Sequence, residues 1–257
     1  MVGFLWVVST IGTILIESGM LLKKCATKSQ NQKIEIDAFH GDYCIDLTRM
    51  VIIHLNGKNF GTFVPGFDKP FDYRLHNAFV RTSKDLFKQY PGCSVIYTTS
   101  DKISMIFPVK QTPSENRGVR IPFSGRIQKL ASVVSSYASV RFNHYLYDEL
   151  INTDWNNVKL QRLSIDALIK RRVGRGIFDA YIYNCDDDMT ENLILEKLRR
   201  LSIFNSKFSF AKFHLSEEEW KPKTIDQMIQ HVEKMKGARW EDLDSWKKYG
   251  TVMCREI

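Results

Sequence analysis

Apolar positions change their period several times along this chain, and each change marks an element. MVIIHL (50–55) is a near-continuous apolar run, which predicts a buried strand. The turn Asn56–Gly57–Lys58–Asn59 comes next, with Gly57 permitting a sharp bend or a close approach to a ligand. Pro65, Gly66 and Pro70 keep residues 67–72 in a loop. From Asp72 onward Leu75, Ala78, Phe79, Leu86 and Phe87 recur at helical spacing, and Pro91–Gly92 stops that helix. SVIYTT (94–99) and ISMIFP (103–108) read as strands joined by the turn Ser100–Asp101–Lys102, a hairpin. A polar loop spans 111–120, and 121–146 carries Leu130, Val133, Val134, Tyr137, Ala138 and Phe142 at helical spacing. Residues 147–176 read as irregular and basic, and IFDAYIY (177–183) as a strand. Helices are predicted over 189–201 and 224–237. The second has Thr224 as N-cap, Asp226 in its first turn and Gly237 as its stop.

The order strand, helix, hairpin of two strands, helix, strand is the ferredoxin-like split βαβ arrangement. It predicts an α+β fold: a four-stranded antiparallel sheet with two helices on one face. No internal repeat or low-complexity tract interrupts it.

The amino terminus has a different character. Residues 2–22 are largely apolar, carry one charge (Glu17) and are followed by Lys23, Lys24 and Lys28. As a helix this stretch reaches about 30 Å, the hydrocarbon thickness of a bilayer. One expectation is a transmembrane helix over 1–24, with the trailing lysines keeping the rest of the chain on the cytosolic or matrix side. The other is a helix buried against a partner subunit. A linker over 25–45 and a folded domain over 46–257 complete the predicted organisation.

The 257 residues carry a net charge of +8, which suits a polyanion such as RNA or an anionic membrane surface. The densest basic patch is Lys170–Arg171–Arg172 with Arg175; it is either an RNA or lipid contact or a solvated loop. Five scattered cysteines with no CxxC fit neither a disulfide framework nor a zinc site. The six histidines show no triad or ligand spacing. Asp186–Asp187–Asp188 precede a helix and read as its dipole partners and caps. Trp220, Trp240 and Trp246 read as core or interface anchors.

The stretches IIHLNGKNFGTF (52–63), GFDKPFD (66–72), YTTSDKISMIF (97–107), FSGRIQKLASVVSSYAS (123–139), IFDAYIY (177–183), FNS (204–206) and KKYGTV (247–252) are collinear. In that order they resemble the tRNA(His) guanylyltransferase family and its 3′–5′ polymerase relatives, from about residue 50 to the carboxyl end. The resemblance implies a polymerase-like palm that adds guanylate to the 5′ end of a tRNA with two Mg2+ ions. It assigns those ions to the positions of Asn56, Gly57 (through its carbonyl) and Asp101. It places Lys69, Ser100 and Asn205 near a nucleotide, GTP or ATP, and gives Arg126 and Lys129 the triphosphate oxygens.

The same resemblance exposes the departures. Asn56 stands where the family has an aspartate, His54 and Tyr181 where it has arginines, and Lys102 where it has an acidic residue. Lys102 carries less weight, because strand alternation offers it a route to the opposite face. Leu201, Ile203 and Phe204 replace further polar positions. An amide supplies a carbonyl oxygen but no charge, and Mg2+ prefers carboxylate oxygens. The expectation is therefore a guanylyltransferase-like pseudoenzyme: a palm kept for nucleotide binding or architecture. It would be anchored by residues 2–22 as an accessory subunit of a membrane assembly, with the mitochondrial inner membrane and its matrix side as the expected location. Two alternatives stand beside it: an active tRNA(His) guanylyltransferase or repair nucleotidyltransferase, and an RNA- or nucleotide-binding module.

Overall fold

The computed structural model describes residues 43–109, 121–153 and 162–255. The predicted span at 2–22 and most of the predicted linker lie outside the described residues. Among those described, no helix is long and apolar enough to cross a membrane.

In chain order the main elements are β1 (Val51–Gly57), α1 (Tyr73–Gln89), β2 (Val95–Thr99), β3 (Lys102–Phe107), α2 (Ser135–Ile151), α3 (Arg162–Arg172), β4 (Phe178–Asn184), α4 (Glu191–His214), α5 (Ile225–Lys236) and β5 (Thr251–Cys254). The sheet order is β4-β1-β3-β2-β5, and every neighbouring pair is antiparallel. The split βαβ core is as the sequence predicts, with one correction: five strands form the sheet, not four. TVMC at 251–254 is too short to announce itself and becomes a strand because β2 leaves an edge open beside it.

Alternation divides the side chains between two faces. Ile53 and Leu55 of β1 and Ile103, Met105 and Phe107 of β3 face α1 and α2, where Phe79, Leu86, Phe142 and Leu146 close the main core. Phe60, Phe63, Phe79, Phe142 and Phe178 form one aromatic cluster in it, with ring centroids 4.7 to 5.9 Å apart among the contacting pairs. This cluster explains Gly57: a Cβ there would lie 2.4 Å from the Phe60 ring.

On the other face, α4 covers part of the sheet by packing Ile194 on Ile52, Val95 and Ile106. Its carboxyl half joins α5 and Trp240 in a second, smaller core around Phe210, Met228 and Val232. The residues of α5 fit its boundaries as predicted. Thr224 and Gln227 make a reciprocal capping box, and Gly237 stops the helix in the left-handed conformation at φ 65°.

Three other expectations change. The stretch 147–176 contains α3 and the end of α2, because Ile165 and Leu168 are buried at helical spacing among charges that obscure them. The helix predicted over 189–201 continues to His214 and takes in the segment 204–206. Asp186 and Asp187 pair with Arg49, at 3.8 and 2.9 Å, and the cap of α4 is Thr190. Within the basic patch, Arg172 donates to the carbonyls of Thr62 (2.9 Å) and Pro65 (3.0 Å), so that cation holds a loop together. Among the described residues the first buried side chain is Ile45, whose N–H donates to the Gly125 carbonyl at 2.9 Å.

Candidate functional site

The two turns that the sequence singles out meet at one end of the sheet. β2 and β3 are joined by only Ser100 and Asp101, which forces Ser100 into the left-handed region at φ 52°. The Gly57 N–H donates to the Asp101 carbonyl at 2.8 Å, tying the end of β1 to the hairpin.

Beside this junction opens a cavity of about 330 Å³, within the size range of small-ligand sites. Four sequence-predicted residues line it: Lys69, Ser100, Asp101 and Asn205. Lys69, Ser100 and Asn205 are exposed, at its mouth, while Phe60, Phe79, Ser202 and Ser206 are buried and form its inner wall. Lys69 has no ion pair among the described residues, so its ammonium is available to an anion.

Asn56, Gly57, Arg126 and Lys129 do not line the cavity. Arg126 and Lys129 stand at the start of the helix leading into α2, behind a turn in which Phe123, Ser124 and Gly125 all have positive φ. Arg126 Nε donates to the Phe123 carbonyl at 3.4 Å, and Lys129 is exposed.

Sequence reasoning missed part of the lining. Asp72 caps α1 and pairs with Arg74 deep in the wall. His76, four residues on and one turn along the same helix, stacks on Trp246 with centroids 4.2 Å apart and planes 20° apart. Trp246, read as an anchor, is also part of the cavity wall, as is Lys247. The signal was present in Asp72 and His76 sharing a helix face, but the packing that brings Trp246 there has no local signature.

Burial pushes the His76 imidazole from its usual value near 6.5 down to about 4. Between those values the unfolded chain takes up a proton that the folded chain refuses, so stability falls as pH drops through that window. Acidification from pH 7 to pH 4 is expected to cost about 2–3 kcal/mol through this group, less than the full shift because the ring keeps some solvent contact. His76→Phe, which keeps the stack, should lose correspondingly less on acidification. Urea midpoints at the two pH values measure this, and equal losses in both proteins would refute it.

A second cluster lies on the sheet face away from α1 and α2. Strand register places Asn56 directly opposite Lys102 on β3 and Asp179 on β4, so all three share a face. Lys102 therefore stands beside Asn56, which corrects the weight given to it from alternation alone. His54 and Ser104 occupy the same face, joined at 2.9 Å, with Tyr181 opposite His54. Burial and then Lys102 push the His54 imidazole down, while Asp101 and Asp179 pull it back, and the net shift is downward.

The donor set does not fit two magnesium ions. The β1 position offers an amide, and a cationic side chain stands opposite it. The fold is a palm-type sheet with a cavity of small-ligand size beside its central hairpin. A family model described as tRNAHis guanylyltransferase (Thg1) matches residues 33–169. The chain belongs to that family. An uncharacterized protein of Acanthamoeba polyphaga mimivirus is 30% identical over 223 residues, covering 84% of this chain and 73% of the viral protein. Among solved structures, a bacterial tRNA(His) guanylyltransferase-like protein in complex with ATP superposes with a TM-score of 0.72, at 21% identity and 88% coverage of both chains. The tRNA(His) guanylyltransferase of Saccharomyces cerevisiae superposes at 0.65, with 16% identity, 86% of this chain and 91% of the yeast chain covered. These two similarities establish a shared fold.

Proposed function

We propose that this protein is a nucleotide-binding guanylyltransferase-like pseudoenzyme that holds a purine nucleoside triphosphate without joining it to RNA. The observation that carries the reading is the split fate of the site. Lys69, Ser100, Asp101 and Asn205 converge on one cavity, whereas the metal-bearing position on β1 is an amide facing a lysine. The Lys69 ammonium, with no ion pair among the described residues, serves a phosphate, and the Phe60 and Phe79 rings of the inner wall serve a base. The complexes of the bacterial relatives with ATP and with GTP support a purine nucleotide as the occupant.

On this reading the palm is an accessory subunit tethered to a membrane by residues 2–22, its partners being other protein subunits. The apolar length of that segment and its trailing lysines support the tether. The mitochondrial inner membrane, with the domain on the matrix side, is the location proposed.

Equilibrium titration of the detergent-solubilised full chain with GTP and with ATP in EDTA tests the central claim. Micromolar affinity is expected for at least one of them, reduced about tenfold in Lys69→Ala by loss of a charge-assisted contact. Neither nucleotide binding, or Lys69→Ala binding as wild type, would overturn it. Flotation with liposomes tests the tether, and a full chain that stays with the soluble fraction would remove that part.

A further inference from the structure

The two faces of the sheet are covered unequally. α1 and α2 pack together across one face and close the main core. On the other face, register runs three rows across the strands: Thr99–Lys102–Asn56–Asp179, Tyr97–Ser104–His54–Tyr181 and Val95–Ile106–Ile52–Tyr183. α4 sits toward the β2 end of these rows. Ser202 Oγ lies 2.8 Å from Thr99 Oγ1 in the first, and Ile194 packs on Ile52, Val95 and Ile106 in the third. One flank of α4 turns toward β5, where Arg199 lies over the Tyr249 ring and Ser206 donates to the Lys247 carbonyl at 2.6 Å. The opposite flank therefore looks over β1 and β4, and helical spacing places Leu193, Lys197, Leu201 and Phe204 along it.

Apolar side chains are left open on both sides of this corner. Leu193, Leu201 and Phe204 on the helix and Tyr181 and Tyr183 on the strand are 43–58% exposed. Together they form one patch of the kind that marks an interface. Tyr181, Leu201 and Phe204 are also departures from the family pattern, so the patch is a feature of this chain. The uncovered half of the layer is two strands wide, about 10 Å, which is the width of one helix.

We propose that a helix of a partner subunit, apolar on one face and acidic along the edge nearest α4, docks over β1 and β4. Charge selects that edge. Lys197 stands between Leu193 and Leu201 on the open flank, and Lys102 lies between Thr99, under Ser202, and Asn56. Neither ammonium has a carboxylate partner among the described residues, while Asp187 and Glu196 are already paired with Arg49 and Arg200. Two free cations beside an apolar stripe fit an amphipathic helix laid in a groove. The tyrosines would also suit unstacked bases, but Asp179 and Asp186–Asp188 bracket them with negative charge that repels a phosphate backbone. From Leu193 to Phe204 the flank is about 16 Å long, or roughly three turns, which sets the length of the docking segment. The inference deepens the accessory-subunit reading and rests on it only in taking the helix from another chain.

The test is fluorescence anisotropy of the full chain, in phosphatidylcholine nanodiscs, with a labelled helical peptide of about four turns carrying leucine on one face and glutamate along one edge. A scrambled peptide, a glutamate-to-lysine version and empty nanodiscs are the controls. The acidic peptide is expected to bind about tenfold tighter than either other peptide. Leu201→Ser/Phe204→Ser and Tyr181→Ser should each weaken it by about tenfold. Their melting temperatures should stay close to wild type, because all three side chains are more than half exposed. Lys197→Glu should reverse the preference in favour of the lysine peptide, which a purely apolar surface would not do. No binding, equal binding of the three peptides, or Leu201→Ser/Phe204→Ser binding as wild type overturns the proposal. Two other occupants would also overturn it. A dimer seen by sedimentation and lost in Leu201→Ser/Phe204→Ser would make the occupant a second copy, and an oligouridylate whose binding falls in Tyr181→Ser would make it RNA. Nucleotide titration in EDTA and liposome flotation are separate measurements, so failure of the docking face is distinguishable from failure of the nucleotide site or the tether.

Discussion

Given magnesium, GTP and a tRNA lacking its 5′-terminal guanylate, the wild-type protein is expected to yield no extended product, and Asn56→Asp alone is expected to leave it so. The reason is the charge at the strand end. Relative to the pattern that the resemblance implies, Asn56 removes one negative charge and Lys102 exchanges a negative for a positive one. Register places the two opposite each other, so both changes act on one spot. A two-metal reaction needs two dications there, clamping the attacking and leaving oxygens. A shortfall of several kcal/mol in that clamp amounts to about 10³-fold or more in rate.

An aspartate introduced at 56 would meet the Lys102 ammonium across the strands and pair with it before it could hold an ion. The double variant Asn56→Asp/Lys102→Glu removes that competitor, and is the form expected to give magnesium-dependent guanylate addition, about 10³-fold above wild type. Labelled extension by the unaltered protein would end the pseudoenzyme reading. A large gain from Asn56→Asp by itself would show instead that Lys102 is a bystander.

Local signals made the hairpin and α5 legible in the sequence. Asp101 sits in a two-residue turn between apolar runs, and Thr224 and Gly237 punctuate α5 at both ends. The cavity was half legible: Lys69, Ser100 and Asn205 were named, while His76 and Trp246, which meet only when α1 packs near the carboxyl-terminal segment, were not paired. Helix α3 was hidden because Asp166, Lys170, Arg171 and Arg172 stand among its buried residues Ile165 and Leu168 and obscure their spacing. Asp179 and Lys102 show the sharper limit. Their significance is a matter of which residue lies across from Asn56, and register is a property of strand pairing that periodicity does not encode. The structure thereby converts scattered departures from a motif into one local rearrangement of charge.

Asp72→Ala is expected to destabilise the fold by about 3–5 kcal/mol, the largest effect of any single side chain lining the cavity. Asp72 performs three tasks with one carboxylate. It caps α1 by accepting from the Arg74 and Leu75 N–H groups at 2.8 and 3.2 Å, holds the loop by accepting from the Asp68 N–H at 2.8 Å, and pairs with the Arg74 guanidinium. The Arg74 side chain is only 8% exposed, and its Nη1 already lacks a partner. Burial works against its charge, yet the Asp72 hydrogen bond and field outweigh burial and hold its pKa above the ordinary value. Removing Asp72 leaves that guanidinium with Asp68, 3.6 Å away and half exposed, as its nearest counter-charge. A stranded charge, not the missing cap of about 1 kcal/mol, dominates the loss. Asp72→Asn keeps an acceptor for the cap and should fall between the two. Asp72→Ala/Arg74→Met removes the stranded charge and should recover more than half of the deficit. Urea unfolding of the four proteins measures this; a loss under about 1 kcal/mol in Asp72→Ala, or a double variant no better than the single, would show that the cap and not the buried charge is what matters.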